Sequence, residues 1–393
     1  MSIRDRVAVI GVGTTKFGEN FEQSYSDMIV EAAYEAFENA NVSPPQIQAA
    51  WLGTCFPDSG GYQGNAGASL ADALSLYGAP ISRVANYCAT GTDAFRNACF
   101  AVASGVYDIA LVVGAEKMRD VTARESLVGQ LAETGHPVLG KGATAAGLFA
   151  LFATRYFDLF GVGRETLAKV AMKNHRHGSL NPKAHFQKEI TLEQYFKAPM
   201  VADPLGLYDC CPQTDGAAAA VICRADRAST FSKEPILVKG IGLANPVGDE
   251  LAFDPQSDFI SFRATQEAAR QAYEQAGIKD PFREIDVAEL HDCFTITELV
   301  TYEDLGFCRK GEGPQFIEEG VPSLDGELPV NTSGGLKSCG HPIGASGLRM
   351  IGEITNQLRG RAGRRQVKGA RQGIVHNLGG LGAVTTVIAL ASP

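Results

Sequence analysis

The sequence predicts an α/β protein built as two similar halves, with a cap inserted in the first. Three observations predict it. Segments recur in the same order in both halves of the 393-residue chain. Strand-like and helix-like stretches alternate, the pattern of mostly parallel central sheets covered by helices. Hydrophobic residues make up 45% of the chain and charged residues 20%, enough for a sizeable core.

The recurrence runs through three pairs of segments. Ile47–Phe56 matches Ile285–Phe294 at five of ten positions, and Gly216–Ala225 matches Gly382–Ala391 at five of ten. Val7–Gly13 resembles Ile236–Gly242. Apolar strands resemble one another by composition, so the order carries more weight than any single match. The first half is the longer, and its excess lies after Cys55, in about 116–200. The expected division is 1–116 with 201–234 for the first half, 117–200 for the insert and 235–393 for the second half. Lys173–Lys183 is polar and reads as a loop rather than core.

Along the chain, Val7–Ile10 reads as a strand. Ser26–Ala40 reads as an amphipathic helix, with Met28, Ala32, Ala36 and Ala40 on one stripe. Arg83–Tyr87 runs as a strand into Cys88, and a helix follows. Val106–Gly114 is a buried strand, and Ala264–Ala276 is a helix stopped by Gly277. A strand ends at Leu290, and a helix begins near Thr295.

Bulk properties exclude several classes. A net charge of −9 argues against a nucleic-acid protein that works by neutralising phosphates. The apolar run Gly216–Val221 is too short to span a bilayer. Met1–Arg6 leads straight into a strand, so no secretory leader is expected, and Ala391-Ser392-Pro393 is no peroxisomal address. Nine cysteines without a regular framework read as reduced thiols in the cytoplasm.

Four places can carry chemistry. Cys88 falls at a strand-to-helix elbow, where backbone N–H groups and the helix dipole favour a thiolate. His291 and Cys293 share a turn at the C-terminal end of a strand, the edge where open α/β folds place their sites; a capped turn with a buried cysteine is the alternative. His341 sits in Gly340-His341-Pro342 with glycine-rich chain on both sides, which lets backbone approach a ligand closely. Asn377-Leu378-Gly379-Gly380-Leu381-Gly382 is a glycine turn whose N–H groups could line an oxyanion site or could simply close a tight turn.

Other features rank lower. Gly11-Val12-Gly13 lacks the third glycine of a dinucleotide fingerprint. His175 and His177 fit no metal-ligand spacing, and no metal site is expected. Cys55, Cys99, Cys210, Cys211, Cys223, Cys308 and Cys339 read as packing residues.

With Cys88, His291-Asp-Cys293-Phe, Gly340-His341-Pro342 and Asn377–Gly382 in that order, the chain resembles the thiolase superfamily. It is most similar to the sterol-carrier-protein type of thiolase and to bacterial and archaeal acetyl-CoA acetyltransferases. The resemblance runs from Val7–Gly18 to the final strand and includes Gly114–Met118, Tyr208–Pro212 and Tyr302–Gly306. The His-Asp-Cys-Phe segment is the specific marker, because most other thiolases read Asn-Glu-Ala-Phe there. It implies a five-layered fold of two βαβαβαββ halves, with a loop domain that covers coenzyme A.

The resemblance also implies roles in acyl transfer between thioesters. Cys88 attacks the acyl donor, and His341 deprotonates it. Cys293 is the acid/base of the carbon–carbon step, since Asn377 stands where other thiolases carry that cysteine. His291 and His341 bind the thioester oxygen, and the N–H groups of Cys88 and Gly379 form a second oxyanion hole. Coenzyme A and acyl-CoA are substrates, no tightly bound cofactor is implied, and a homodimer or tetramer is expected. Relatives on this scaffold also catalyse retro-aldol cleavage of steroid side chains or acylate a non-CoA acceptor, often with a small zinc-ribbon/OB-fold partner. A non-catalytic CoA-ester-binding subunit is a third reading, which the retained reactive residues disfavour.

Overall fold

The computed structural model describes residues 2–122, 124–126, 144–246 and 257–393. Nine strands form one mixed sheet. In chain order they are β1 (Val7–Thr14), β2 (Ala49–Gly53), β3 (Ile81–Val84), β4 (Ile109–Glu116), β5 (Gly216–Arg224), β6 (Ile236–Ala244), β7 (Val287–Leu290), β8 (Gln372–Gly379) and β9 (Val384–Ala391). Their lateral order is β3-β2-β4-β5-β1-β6-β9-β8-β7. The two halves meet where β1 pairs with β6, through Ala8 with Leu237 and Val9 with Ile236.

The recurrence in the sequence is visible in this order. From the junction outwards, the first half runs β1, β5, β4, β2, and the second runs β6, β9, β8, β7. The three pairs of similar segments therefore occupy equivalent strands. Beside β2 lies β3; beside β7 the equivalent place holds a single bridge, Ala288 to Val330.

The sheet is not mostly parallel. Only β2–β3, β2–β4 and β7–β8 are parallel neighbours. A parallel pair needs a crossover, usually a helix. The turn Gly380–Ala383 instead joins β8 directly to β9, so these strands must run antiparallel.

Helices cover both faces. α1 (Tyr25–Ala40) packs its buried stripe of Met28, Ala32, Ala36 and Ala40 on β1 and β5. Its N-terminus is closed by a capping box between Ser24 and Asp27. α2 (Thr90–Ala103) follows Cys88 and packs on β2 and β4. The segment between β4 and β5 contributes α3 (Ala145–Phe160) and α4 (Arg164–Ser179). In the second half, α5 (Arg263–Ala276) packs on β6 and β9 and ends at Gly277, with φ +77°. α6 (Thr295–Asp304) follows the His291–Cys293 turn.

α7 (Ile343–Leu358) is buried along nearly its whole length and touches α2, β4 and β5 from the first half and β7 and β8 from the second. The layers are therefore α1, first half-sheet, α2 with α7, second half-sheet, α5.

The polar stretch read as a loop is largely helix. Lys173, Asn174, His175 and His177 lie in α4, and all four are buried. Their partners are polar groups elsewhere in the fold. Asn174 donates to Asp292 and Glu298, Lys173 pairs with Glu298, and His177 meets the carbonyl of Asn331 at 3.0 Å. Among the described residues, no helix is long and apolar enough to cross a membrane.

Candidate active site

Cys88 follows β3 through a strained elbow. Tyr87, immediately before it, has φ +47°, a left-handed conformation costly for a bulky residue. The Thr90 hydroxyl stabilises the elbow by donating to the Tyr87 carbonyl and accepting from the Asn86 N–H at 2.7 Å. Cys88 is half-buried at the mouth of α2.

The sequence reading had the thiolate favoured here. Desolvation overrides that: burial, with the Glu116 carboxyl nearby, pushes the Cys88 thiol up to about 12. An N–H from Gly380 pulls weakly the other way. A resting thiol at this position needs a base to become a nucleophile.

Two histidines near this thiol come from the other half. Gly340, with φ +109°, turns the chain into His341-Pro342 and α7. The mouth of α7 closes tightly onto the first half: a Cβ on Gly114 would lie 2.2 Å from the Gly344 carbonyl oxygen. Only glycine at 114 permits that approach. Glu116, buried at the end of β4, accepts the Gly344 N–H at 2.6 Å and the N–H groups of Cys55 and Phe56. The Tyr62 hydroxyl donates to the same carboxylate.

His291 reaches the site from the turn after β7. Cys88 Sγ and one ring nitrogen each of His291 and His341 lie within 4.8 Å of one another. The imidazoles meet edge to face, 5.3 Å between centroids. Burial holds His341 down at about 3 and His291 well below its usual range, so both are neutral at pH 7. Their Nε2 atoms are buried without a hydrogen-bond partner, whereas their Nδ1 atoms are engaged, His341 with Ser346 at 2.7 Å and His291 with Asn377 at 3.0 Å.

Cys293 is buried, and its sulfur lies 3.6 Å from the Thr297 hydroxyl in the first turn of α6. Burial pushes its thiol well up, and the Cys211 and Cys88 thiols are close enough to add to the shift. Asp292, between the two reactive residues, faces away from them. It accepts the N–H groups of Leu336 at 2.6 Å and Lys337 at 3.2 Å, and Asn174 Nδ2 at 2.8 Å. This clamp fixes the turn that carries His291 and Cys293.

Gly379 ends β8. A Cβ there would lie 3.0 Å from the Tyr87 Cβ and 3.1 Å from the Asn86 carbonyl oxygen, so the glycine turn packs directly on the Cys88 elbow. Two backbone N–H groups act on the Cys88 sulfur, those of the next residue, Gly380, and of Cys88 itself.

Two cysteines read as packing residues lie in the site's surroundings. Cys55 packs in the small apolar cluster that Tyr87 and Cys88 border, and Cys211 is within electrostatic reach of Cys88 and Cys293. Glu116, Ser346 and Asp292 were also not singled out. The one signal for Glu116 was an acid ending an otherwise apolar strand.

The chain matches the Thiolase, N-terminal domain family over residues 7–226 and the Thiolase C-terminal domain-like family over residues 248–392. It is 41% identical to an acetyl-CoA acetyltransferase of Methanothermobacter thermautotrophicus, covering 97% of this chain and 98% of the relative. It is 34% identical to human sterol carrier protein 2, covering 98% of this chain and 71% of that protein. Among solved structures, an Ltp2-ChsH2(DUF35) aldolase superposes with a TM-score of 0.85 at 26% identity, covering 100% of this chain and 99% of the other. A fold of two matched halves, a cysteine facing two histidines across them, family models that span nearly the whole chain and an acetyl-CoA acetyltransferase matched over 98% of its length make this chain a member of the thiolase family of acyltransferases.

Proposed function

We propose that the chain is a thiolase that forms or cleaves the carbon–carbon bond of a 3-oxoacyl-CoA through an acyl-enzyme on Cys88. The observation that carries this reading is the cluster of Cys88 Sγ and one ring nitrogen each of His291 and His341 within 4.8 Å, with both Nε2 atoms buried and without a hydrogen-bond partner. His341 Nε2 takes the Cys88 proton, and the sulfur attacks the thioester carbonyl. His291 and His341 hold the thioester oxygen whose negative charge grows as the enolate forms. Cys293 moves the proton to or from the α-carbon. The N–H groups of Cys88 and Gly379 form the second oxyanion hole.

Residues 117–200, of which 123 and 127–143 lie outside the described residues, are the loop domain over coenzyme A, between the halves 1–116 with 201–234 and 235–393. Coenzyme A and its esters are substrates, with no tightly bound cofactor, in lipid metabolism. Nine unpaired cysteines support a reducing compartment, the cytoplasm. A homodimer or tetramer is the expected assembly. The likeness to an aldolase named with a DUF35 protein supports a small zinc-ribbon/OB-fold protein as a further partner.

Incubation with acetyl-CoA followed by intact mass tests the reading. One acetyl adduct in the wild type, lost in Cys88→Ala, is expected. An unmodified wild type, or an adduct that survives Cys88→Ala, would sink it.

A further inference from the structure

We propose that Cys88, His291 and His341 together form an inhibitory zinc site, in which Zn²⁺ captures the thiol and both imidazoles and keeps its fourth position for water.

Among the described residues, these three are the one group of His, Cys and acidic side chains close enough to share an ion. A thiolate with two imidazoles is a donor set that suits zinc. With Zn–S at about 2.3 Å and Zn–N at about 2.0–2.1 Å, neighbouring ligand atoms of a tetrahedral site lie about 3.3–3.6 Å apart. Here Cys88 Sγ and one nitrogen of each ring lie within 4.8 Å of one another. The three side chains therefore need to close by at most about 1.5 Å. Cys88 is half-buried at the mouth of α2, so an ion can reach it from outside.

The two rings are held as zinc ligands are held. Their Nδ1 atoms are engaged and their Nε2 atoms are buried without a hydrogen-bond partner, so Nε2 is the nitrogen free to ligate. Ser346 Oγ gives its one proton to the Pro342 carbonyl at 2.9 Å and so accepts His341 Nδ1–H at 2.7 Å. Thr92 Oγ gives its proton to the Ala89 carbonyl at 2.9 Å and so accepts from the Asn377 amide, 3.2 Å away. The amide nitrogen thus faces Thr92, and the oxygen faces His291 Nδ1–H. Each Nε2 then carries a bare lone pair, and each ring donates its other N–H to a fixed acceptor, the arrangement that orients histidines on a metal. Turning the amide over gives His291 the Nε2 proton with which it holds a substrate oxygen.

On binding, the Cys88 S–H bond breaks, its proton passes to solvent, and the sulfur and the two nitrogens replace water on the ion. No electron is transferred. Inhibition rests on the thiolase reading above, since a metal-bound sulfur cannot attack a thioester; the binding itself does not.

Titration of the reduced full chain with Co²⁺, followed by Zn²⁺, tests the site. One equivalent of Co²⁺ is expected to give a thiolate-to-cobalt charge-transfer band with the intense visible bands of a four-coordinate ion, and Zn²⁺ to abolish them. The band is expected to vanish in Cys88→Ala and in His341→Gln. Ser346→Ala, which removes only the acceptor behind the ring, is expected to weaken binding by about 10- to 100-fold. One equivalent of Zn²⁺ is expected to block acetylation of Cys88 by acetyl-CoA, and EDTA to restore it. A wild type without the charge-transfer band, or a band of equal affinity in Cys88→Ala, overturns the proposal. The band in a protein that transfers no acetyl group would support the site and count against the thiolase reading alone.

Discussion

Gly344, at the mouth of α7, donates its N–H to Glu116 at 2.6 Å, and the two residues belong to different halves of the chain. The same carboxylate takes the N–H groups of Cys55 and Phe56. One buried side chain therefore ties the loop after β2 to the helix that follows His341.

Glu116→Gln tests that tie. An amide offers one acceptor oxygen where the carboxylate offered two, so at least one buried N–H loses its partner. The expected cost is about 1–3 kcal/mol of stability, read as a lower urea midpoint. Loosening Gly344 also displaces His341, and misplacement of this kind can slow acylation by up to about 10²-fold. An unchanged midpoint would refute the role given to Glu116.

His341→Ala should change the pH dependence of acylation. With the Cys88 thiol pushed up to about 12 and no base beside it, the reactive thiolate forms only by loss of the proton to water. Single-turnover acetylation at pH 7 is expected to fall by about 10²- to 10⁴-fold. Because the pH lies far below the thiol's own value, the rate should then rise about tenfold per pH unit up to the limit of the folded protein. A flat profile in the variant would mean that another group supplies the base.

Cys293→Ala separates the two chemical steps. Burial keeps this thiol protonated at rest, which suits a proton donor to a leaving enolate. The variant is expected to show a normal acetyl adduct on Cys88 and a carbon–carbon step slower by about 10²- to 10⁴-fold. Full condensation or thiolysis activity in Cys293→Ala would remove Cys293 from the acid/base role.

Much of the site was legible because its residues sit where strands end. The elbow at Cys88, the turn carrying His291 and Cys293, and the glycine-flanked His341 each follow a strand or precede a helix, and local pattern marks such places. What the pattern cannot carry is polarity turned inwards. Lys173, Asn174 and His177 read as a solvated loop because nothing in their neighbourhood names their partners, Glu298, Asp292 and Asn331, more than a hundred positions away. Cys211 was passed over for the same reason: its closeness to Cys88 and Cys293 is made by the fold. The same limit hid the antiparallel pairings, since a strand's direction depends on how its connection crosses the sheet.

Acid should destabilise the fold through its buried histidines. Burial holds His177, His341 and His376 down at about 3 and His175 at about 4, against 6.5 for a free ring. Below pH 6.5 the unfolded chain binds protons that the native state refuses, so stability falls as pH drops from about 6.5 towards the native values. Each such histidine adds up to about 1.4 kcal/mol per pH unit to that slope. Buried Asp292 and Asp304, pushed up to about 7 and about 6, take up protons in the native state and oppose this fall. The check is therefore a difference between variants: between pH 6 and 5 the urea midpoint of His376→Gln is expected to drop less, or rise more, than that of the wild type. His376 is the chosen position because its ring meets the Thr265 hydroxyl at 2.9 Å, a contact that glutamine can also make without a proton to gain. A His376→Gln slope equal to that of the wild type would contradict the neutral, buried state of the His376 ring.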